Sequence, residues 1–191
     1  MKKQLSCITI AIAFAIGTQF TYAQTHSYPT DEELQKLKPD FQRQVEYWSE
    51  YEEPERQKEA RAFAATWSDP AVVPFLGRWA AIEETIDIYP STTDGQVCII
   101  EAFSTPEPEV DFRLGNVLNQ QIYTNRDTVI IQQGNYAGVA GSNGNQADVY
   151  VYRLIAPAEV PTRASWSDWR GSDRVIEQFK AAGCIALSSN S

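Results

Sequence analysis

Glu83, Thr85 and Asp87 alternate along one stretch of the chain, and Glu101 stands in the next apolar segment. On a strand, alternate residues share a face about 7 Å apart, so paired carboxylates there have the geometry for acid–base cleavage of a glycoside. Exposed acids on an acidic chain are the plainer account of the same residues. A second constellation is aromatic: Phe103, Tyr123, Tyr136, Tyr150 and Tyr152 fall in strand-like segments. Small-molecule pockets are mostly apolar with a few placed polar groups, which makes these five the candidate ligand-binding residues. Tyr150 and Tyr152 share one strand face, with Val149, Val151 and Arg153 on the other. Ile99, Glu101 and Phe103 likewise oppose Cys98, Ile100 and Ala102. Which set points inward is not readable from alternation, and a filled core without a cavity is the competing expectation.

Other chemistries fare worse. The run Gly134–Gly141 lacks the Lys-Ser/Thr ending and the following helix of a phosphate loop, so it reads as a hairpin or a mobile mouth loop. His26 is the only histidine and sits in a polar lead-in, too isolated to serve a serine nucleophile or to join Cys98 and Cys184 in a zinc site. No metal and no cofactor is expected. Trp166 and Trp169 have the type for stacking on a sugar, but two such indoles more often pack a returning loop.

The elements that must position these residues follow from periodicity. From Phe75 onward, segments rich in Ile, Val and Tyr alternate with turn signals, the pattern of an antiparallel sheet or barrel. Strands are expected at Trp79–Tyr89, Gln96–Ser104, Val110–Leu114, Val117–Tyr123, Thr128–Gln133 and Asp148–Ile155, with a weaker one at Tyr136–Ala140. Asn125–Asp127 reads as a hairpin turn. Ahead of them, Thr30 and Glu33 have capping-box spacing, and Leu34, Leu37, Phe41, Val45 and Trp48 form a helical stripe. Pro39 should kink or restart that helix. A further helical piece runs from Glu55 to Trp67, and a last helix from Ser172 to Ala182 is capped by Ser172-Asp173 and stopped by Gly183. The expected class is mainly β with helices (α+β): an antiparallel meander closing into a barrel, preceded by a helical extension and followed by a helix. An open sheet with helices on one face is the alternative.

Length and charge bound the rest. The 191 residues suit one domain, and 43% hydrophobic content allows a real core. A formal charge of -9 argues against nucleic acid, whose phosphates demand clustered Lys and Arg. It disfavours an anionic membrane surface as well. Residues 1–23 have the form of a signal peptide: Lys2 and Lys3, an apolar run too short to span a bilayer, and small residues ending at Ala23. Cleavage there removes two lysines and no acid, takes the charge from -9 to -11, and leaves Cys98 and Cys184 as an even pair. In the expected periplasmic or extracellular location, such a pair is most simply a disulfide. The expected organisation is thus a signal peptide over 1–23, a helical extension over 24–70, a barrel domain with its helix over 71–187, and a disordered tail over 188–191.

Phe75-Leu76-Gly77-Arg78-Trp79-Ala80 resembles the G-x-W signature of lipocalins. The resemblance implies that Gly77 and Trp79 stand at the closed end of a lipocalin-like barrel. It also implies an arginine over the indole, from Arg153 or Arg163. The late helix, with a cysteine beyond it that reaches back to an early strand, is similar to lipocalin organisation. The function expected is a secreted or periplasmic, non-enzymatic binding protein for a small apolar or amphipathic ligand. The alternatives are an interaction or inhibitor module that meets a protein partner through the acidic helices, and a small secreted enzyme acting on a sugar or lipid.

Overall fold

The computed structural model describes residues 28–142 and 146–186. The expected signal peptide, His26 and the terminal tail lie outside them. Eight antiparallel strands in sequence order form a closed barrel, each pairing with its neighbours and the last with the first. They are β1 (Gly77–Ala80), β2 (Glu84–Pro90), β3 (Gln96–Phe103), β4 (Glu109–Leu118), β5 (Gln121–Thr124), β6 (Val129–Gln133), β7 (Tyr136–Ser142) and β8 (Ala147–Ala156). Closure is partial along β8: β1 pairs only with its end, Arg153–Ala156, and side chains of the first helix meet the backbone of Val149 and Val151 beyond it.

The strand count exceeds the expected six or seven because one segment conceals a hairpin. Trp79–Tyr89 is two strands, not one: Gly77 pairs with Ile88 and Ala80 with Thr85. The chain turns at residues 81–83, where Glu83 takes a left-handed backbone (φ 64). The boundary between the next pair also shifts. β4 runs on to Leu118, and the turn falls at Asn119 and Gln120, both at positive φ. Neither turn contains Gly or Pro; the first, Ala81-Ile82-Glu83, carries no turn residue, while Asn119 in the second is a turn signal that the sequence reading passed over.

Pairing fixes which side chains share a face, since directly opposed residues project to the same side. Trp79 opposes Ile86 and Leu154, Ile88 opposes Ile99, and Ile122 opposes Ile130. With Val97 these residues are almost wholly buried and fill the closed-end interior. Gly115 faces inward there, and a Cβ on it would meet Ile122 and Val97, so the small residue lets β4 and β5 pack tightly.

Three helices cover the outside. The first, α1 (Asp31–Ser49), opens with the capping box expected at Thr30 and Glu33, both reciprocal bonds being present. It runs through Pro39 as one helix and does not restart there. Leu34, Leu37 and Phe41 are buried against the outer faces of β6, β7 and β8. Gln44 Nε2 and Trp48 Nε1 donate to the carbonyls of Val149 and Val151, at 2.9 and 3.1 Å. That docking offsets the one backbone hydrogen bond that Pro39 cannot make. The second helix, α2 (Pro54–Ala64), buries Ala60 and Ala64 against the closed end. The last, α3 (Ser172–Ala181), packs Val175, Ile176 and Phe179 against Tyr89, Cys98, Ile100 and Phe112 on the outside of β2–β4. Its N-cap is Gly171, with no side-chain capping bond, not the expected Ser172. Cys98 and Cys184 are joined in a disulfide that ties the segment after α3 to β3.

Candidate functional site

The two ends of the barrel differ in chemistry. At one end a 3-10 turn, Val73–Phe75, leads into Gly77, and Trp79 lies completely buried beneath it with its Nε1 donating to Phe75 O at 2.8 Å. Gly77 takes φ 133, and a Cβ there would sit 2.8 Å from Leu154, so the position requires glycine twice over. The cation over the indole is Arg61, with its guanidinium carbon 5.2 Å from the ring centroid. It comes from α2, ahead of the barrel, and not from Arg153 or Arg163. Arg61 also donates to Pro74 O and Gly134 O, both at 2.6 Å, and so straps α2 across the closed end. Arg153 points outward from β8, stacks 5.9 Å from the Trp48 ring and lies 3.9 Å from Glu53. Arg163 pairs with Asp173 at the surface.

The opposite end, where the β1–β2, β3–β4 and β5–β6 connections lie, is polar inside. Following the register inward from Ile86 and Ile99 places Glu84, Glu101, Phe103, Asp111 and Arg113 on the interior face. Gly141 and Asp148, then Val139 and Tyr150, then Ala137 and Tyr152 oppose each other on the same face of β7 and β8. Arg113 Nη2 lies 2.5 Å from Glu101 Oε2, with side chains 15% and 8% exposed. Arg113 Nη1 also donates to Thr128 Oγ1 at 3.4 Å, and Arg113 Nε is buried without a hydrogen-bond partner among the described residues. Asp111, opposite Glu101, is met by Arg126 at 2.5 Å and by Arg174 at 3.3 Å. Tyr152 donates to Glu84 at 2.6 Å, and Tyr150 donates to the carbonyl of Ile82 at 3.3 Å. The Tyr150 and Tyr152 rings meet edge to face with centroids 5.3 Å apart.

Burial dominates the electrostatics of this cup. Loss of solvation pushes the Glu101 carboxyl up to about 7; Arg113 pulls it down and Asp111 adds to the rise. Burial raises the Tyr152 phenol well above its usual range, and its bond to Glu84 adds to the effect. Tyr150 is also raised, chiefly by burial and next by the charge of Glu84.

Of the five aromatic candidates, the structure brings Phe103, Tyr150 and Tyr152 to the cup and sends two elsewhere. Tyr123 faces outward and packs edge to face on Tyr28. Tyr136 faces outward too, its hydroxyl bonded to Glu52 at 2.5 Å in the seam between the helices and the barrel. Both lie one register step away from interior neighbours, and a one-residue offset changes the face of a strand residue. The proposed carboxylate set is divided by the barrel wall. Glu83 is in a turn, where Thr105 Oγ1 donates to it at 2.5 Å. Asp87 points outward and is held by Arg78 through bonds of 2.7 and 2.8 Å. Only Glu101 faces in. Trp166 is buried and Trp169 partly buried in the packing between α3 and the wall. Arg113, Glu84 and Asp111 were not singled out from sequence. The signal for Asp111 and Arg113 was alternation through β4, Val110-Asp111-Phe112-Arg113-Leu114, and for Glu84 its place on the face of Ile86 and Ile88 in β2.

The fold and the cup together define a lipocalin-like barrel, closed and apolar at one end and charged at the other. A comparison with protein-family models finds no match for the chain, and comparisons with curated proteins and with solved structures find none either.

Proposed function

We propose that the chain is a secreted or periplasmic binding protein that holds a small amphipathic ligand at the polar end of its barrel. The observation that carries this reading is the Glu101–Arg113 ion pair, buried on the interior face of the barrel, where Arg113 Nε has no hydrogen-bond partner among the described residues. Groups of this kind are costly to bury unless something completes their hydrogen bonds. The closed end beneath is filled by its own side chains, so the aromatic residues beside the pair would meet the apolar half of an amphipathic molecule. Phe103, Tyr150 and Tyr152 line the entrance. Secretion is supported by the disulfide and by the signal-like residues 1–23, and among the described residues no helix is long and apolar enough to cross a membrane.

Gly141 offers a test. It faces inward near the mouth with ordinary backbone, and a Cβ there meets nothing closer than 3.7 Å. Gly141→Trp should therefore project an indole into the mouth with no clash at its Cβ. The neutral fluorophore N-phenyl-1-naphthylamine should bind the wild-type chain saturably, one to one, and fail to bind the variant at unchanged melting temperature. Equal binding by both proteins would place the ligand elsewhere and refute the reading.

A second reading, contact with a protein partner through the helical extension, draws on Tyr47 and Tyr51. Their rings are half exposed and mutually packed at the end of α1, beside Glu46 and Glu50.

A further inference from the structure

We propose that a groove on the outer wall of the barrel, between α1 and the strands β5 and β6, binds a neutral oligosaccharide. This site is separate from the barrel interior and does not depend on the reading above.

The groove encloses about 580 Å³, inside the range of about 300–1,000 Å³ usual for small-molecule sites. Six carboxamides line it: Gln42 from α1, Asn119 and Gln120 from the β4–β5 turn, Gln121 from β5, and Gln132 and Gln133 from β6. Of its lining residues only Lys38 is ionisable and none is an acid, on a chain that carries 25 Asp and Glu. Asn119, Gln120 and Gln132 also line a neighbouring hollow of about 330 Å³, whose lining has no ionisable residue. An extended ligand can therefore run from one hollow into the other without leaving uncharged surface.

The amides have bonding capacity to spare. Gln42, Asn119, Gln120 and Gln133 are exposed and make no side-chain hydrogen bond among the described residues. Gln121 accepts from the Tyr123 hydroxyl at 2.9 Å, and Gln132 donates to Gly134 O, which leaves each with half of its amide free. A carboxamide both donates and accepts, as sugar hydroxyls do, so one amide can pair with two adjacent hydroxyls. Pro39 and Ile131 add apolar surface for the C–H face of a pyranose ring.

The backbone of the turn is an independent sign. Leu118 pairs with Gln121, so Asn119 and Gln120 are the two central residues of the hairpin, at φ 51 and 61. Turns with positive φ at both positions favour Asn and then Gly, because an L side chain is strained there. The second position here holds Gln, and its side chain lines both hollows. Strained residues of this kind concentrate at ligand sites.

Other ligands fit less well. Carboxylates or phosphates would find one cation, Lys38. An extended peptide has no strand edge to join, since β5 is paired with β4 and β6, and β6 with β5 and β7.

NMR titration of the isotope-labelled chain with cellohexaose, maltohexaose and N-acetylchitohexaose tests the assignment. At least one of these sugars should shift the side-chain amide signals of Gln120, Gln132 and Gln133 saturably. Gln120→Gly removes the amide and relieves the turn, so it should bind that sugar about ten-fold more weakly at an equal or higher melting temperature. Gln42→Ala, a helix-favouring change at an exposed position, should weaken binding similarly. Gly141→Trp alters the barrel mouth and should keep full sugar affinity, which separates this site from the one inside. No shift with any sugar, full affinity in both glutamine variants, or loss of binding in Gly141→Trp overturns the inference. Tighter binding of hexagalacturonate than of every neutral sugar also overturns it, by making charge the determinant. Tighter binding of an uncharged hexapeptide does so by making the groove a peptide site.

Discussion

Glu101 joins three properties that oppose one another: burial, a neighbouring arginine and an acid directly across the ladder. Burial prevails, and the carboxyl titrates at about 7 instead of near 4.5. Between those two pH values the folded protein keeps a proton that the unfolded chain has released. Folding stability therefore falls as pH rises from about 4.5 to 7 and is flat above, a contribution on the order of 3 kcal/mol. Glu101→Gln holds the neutral form at every pH, so the variant should gain on the wild type as pH rises. Thermal melts at pH 5 and pH 8 check this; an undiminished pH slope in the variant would show that Glu101 is not the group responsible. Glu101 was visible in sequence as a carboxylate amid apolar residues. Its partner Arg113 was not, because only pairing between β3 and β4 brings the two together.

The helices show how secondary structure is decided by what it packs against. Phe41 of α1 lies over Gly138 of β7, so closely that a Cβ on the glycine would come within 2.7 Å of the ring. Phe41→Ala should cost about 3 kcal/mol through the cavity it leaves. Gly138→Ala should cost about 1–3 kcal/mol through overpacking. Combined, the two should cost less than their sum, because the cavity accepts the new methyl group. Urea unfolding of the four proteins measures the coupling, and strict additivity would show that the ring and the glycine do not determine one another's fit. The same contact explains why α1 ignores the breaker at Pro39. Three buried apolar residues and two side-chain hydrogen bonds to β8 outweigh one missing backbone bond. The capping box was legible because it is a local device, complete within four residues. The β1–β2 hairpin was not, because its tight turn uses Glu83 in a conformation that sequence assigns to Gly, Asn or Asp.

Across the whole molecule, a closed wall is bound to two outer layers by distinct fastenings. Arg61 secures the leading helices to the closed end, while the Cys98–Cys184 disulfide secures the trailing segment to β3. The crosslink spans 86 residues, and on the chain-entropy model it stabilises by about 4–5 kcal/mol. Reduction should lower the melting temperature markedly and speed amide exchange in α3 before it does so in β3. Simultaneous loss of protection in both would mean that α3 and the barrel unfold as one unit. The bidentate Arg78–Asp87 pair, joined by Glu159 at 3.1 Å, holds the chain after β8 to the same wall and so completes the enclosure of β1 and β2.

Alternation, capping and cysteine parity, all properties of neighbouring or countable residues, were enough to specify a β-rich domain with flanking helices, the G-x-W start and a pair of cysteines suited to bridging. They act over a few residues or depend on composition alone. Closure, by contrast, depends on β8 returning to β1, and the inward or outward sense of every strand follows from that one pairing. That is why Tyr150 and Tyr152 look into the barrel while Tyr123 and Tyr136 lie under α1, and why Arg61 rather than Arg153 covers Trp79. Period-two alternation is symmetric between the two faces of a strand, and only the assembled barrel breaks that symmetry.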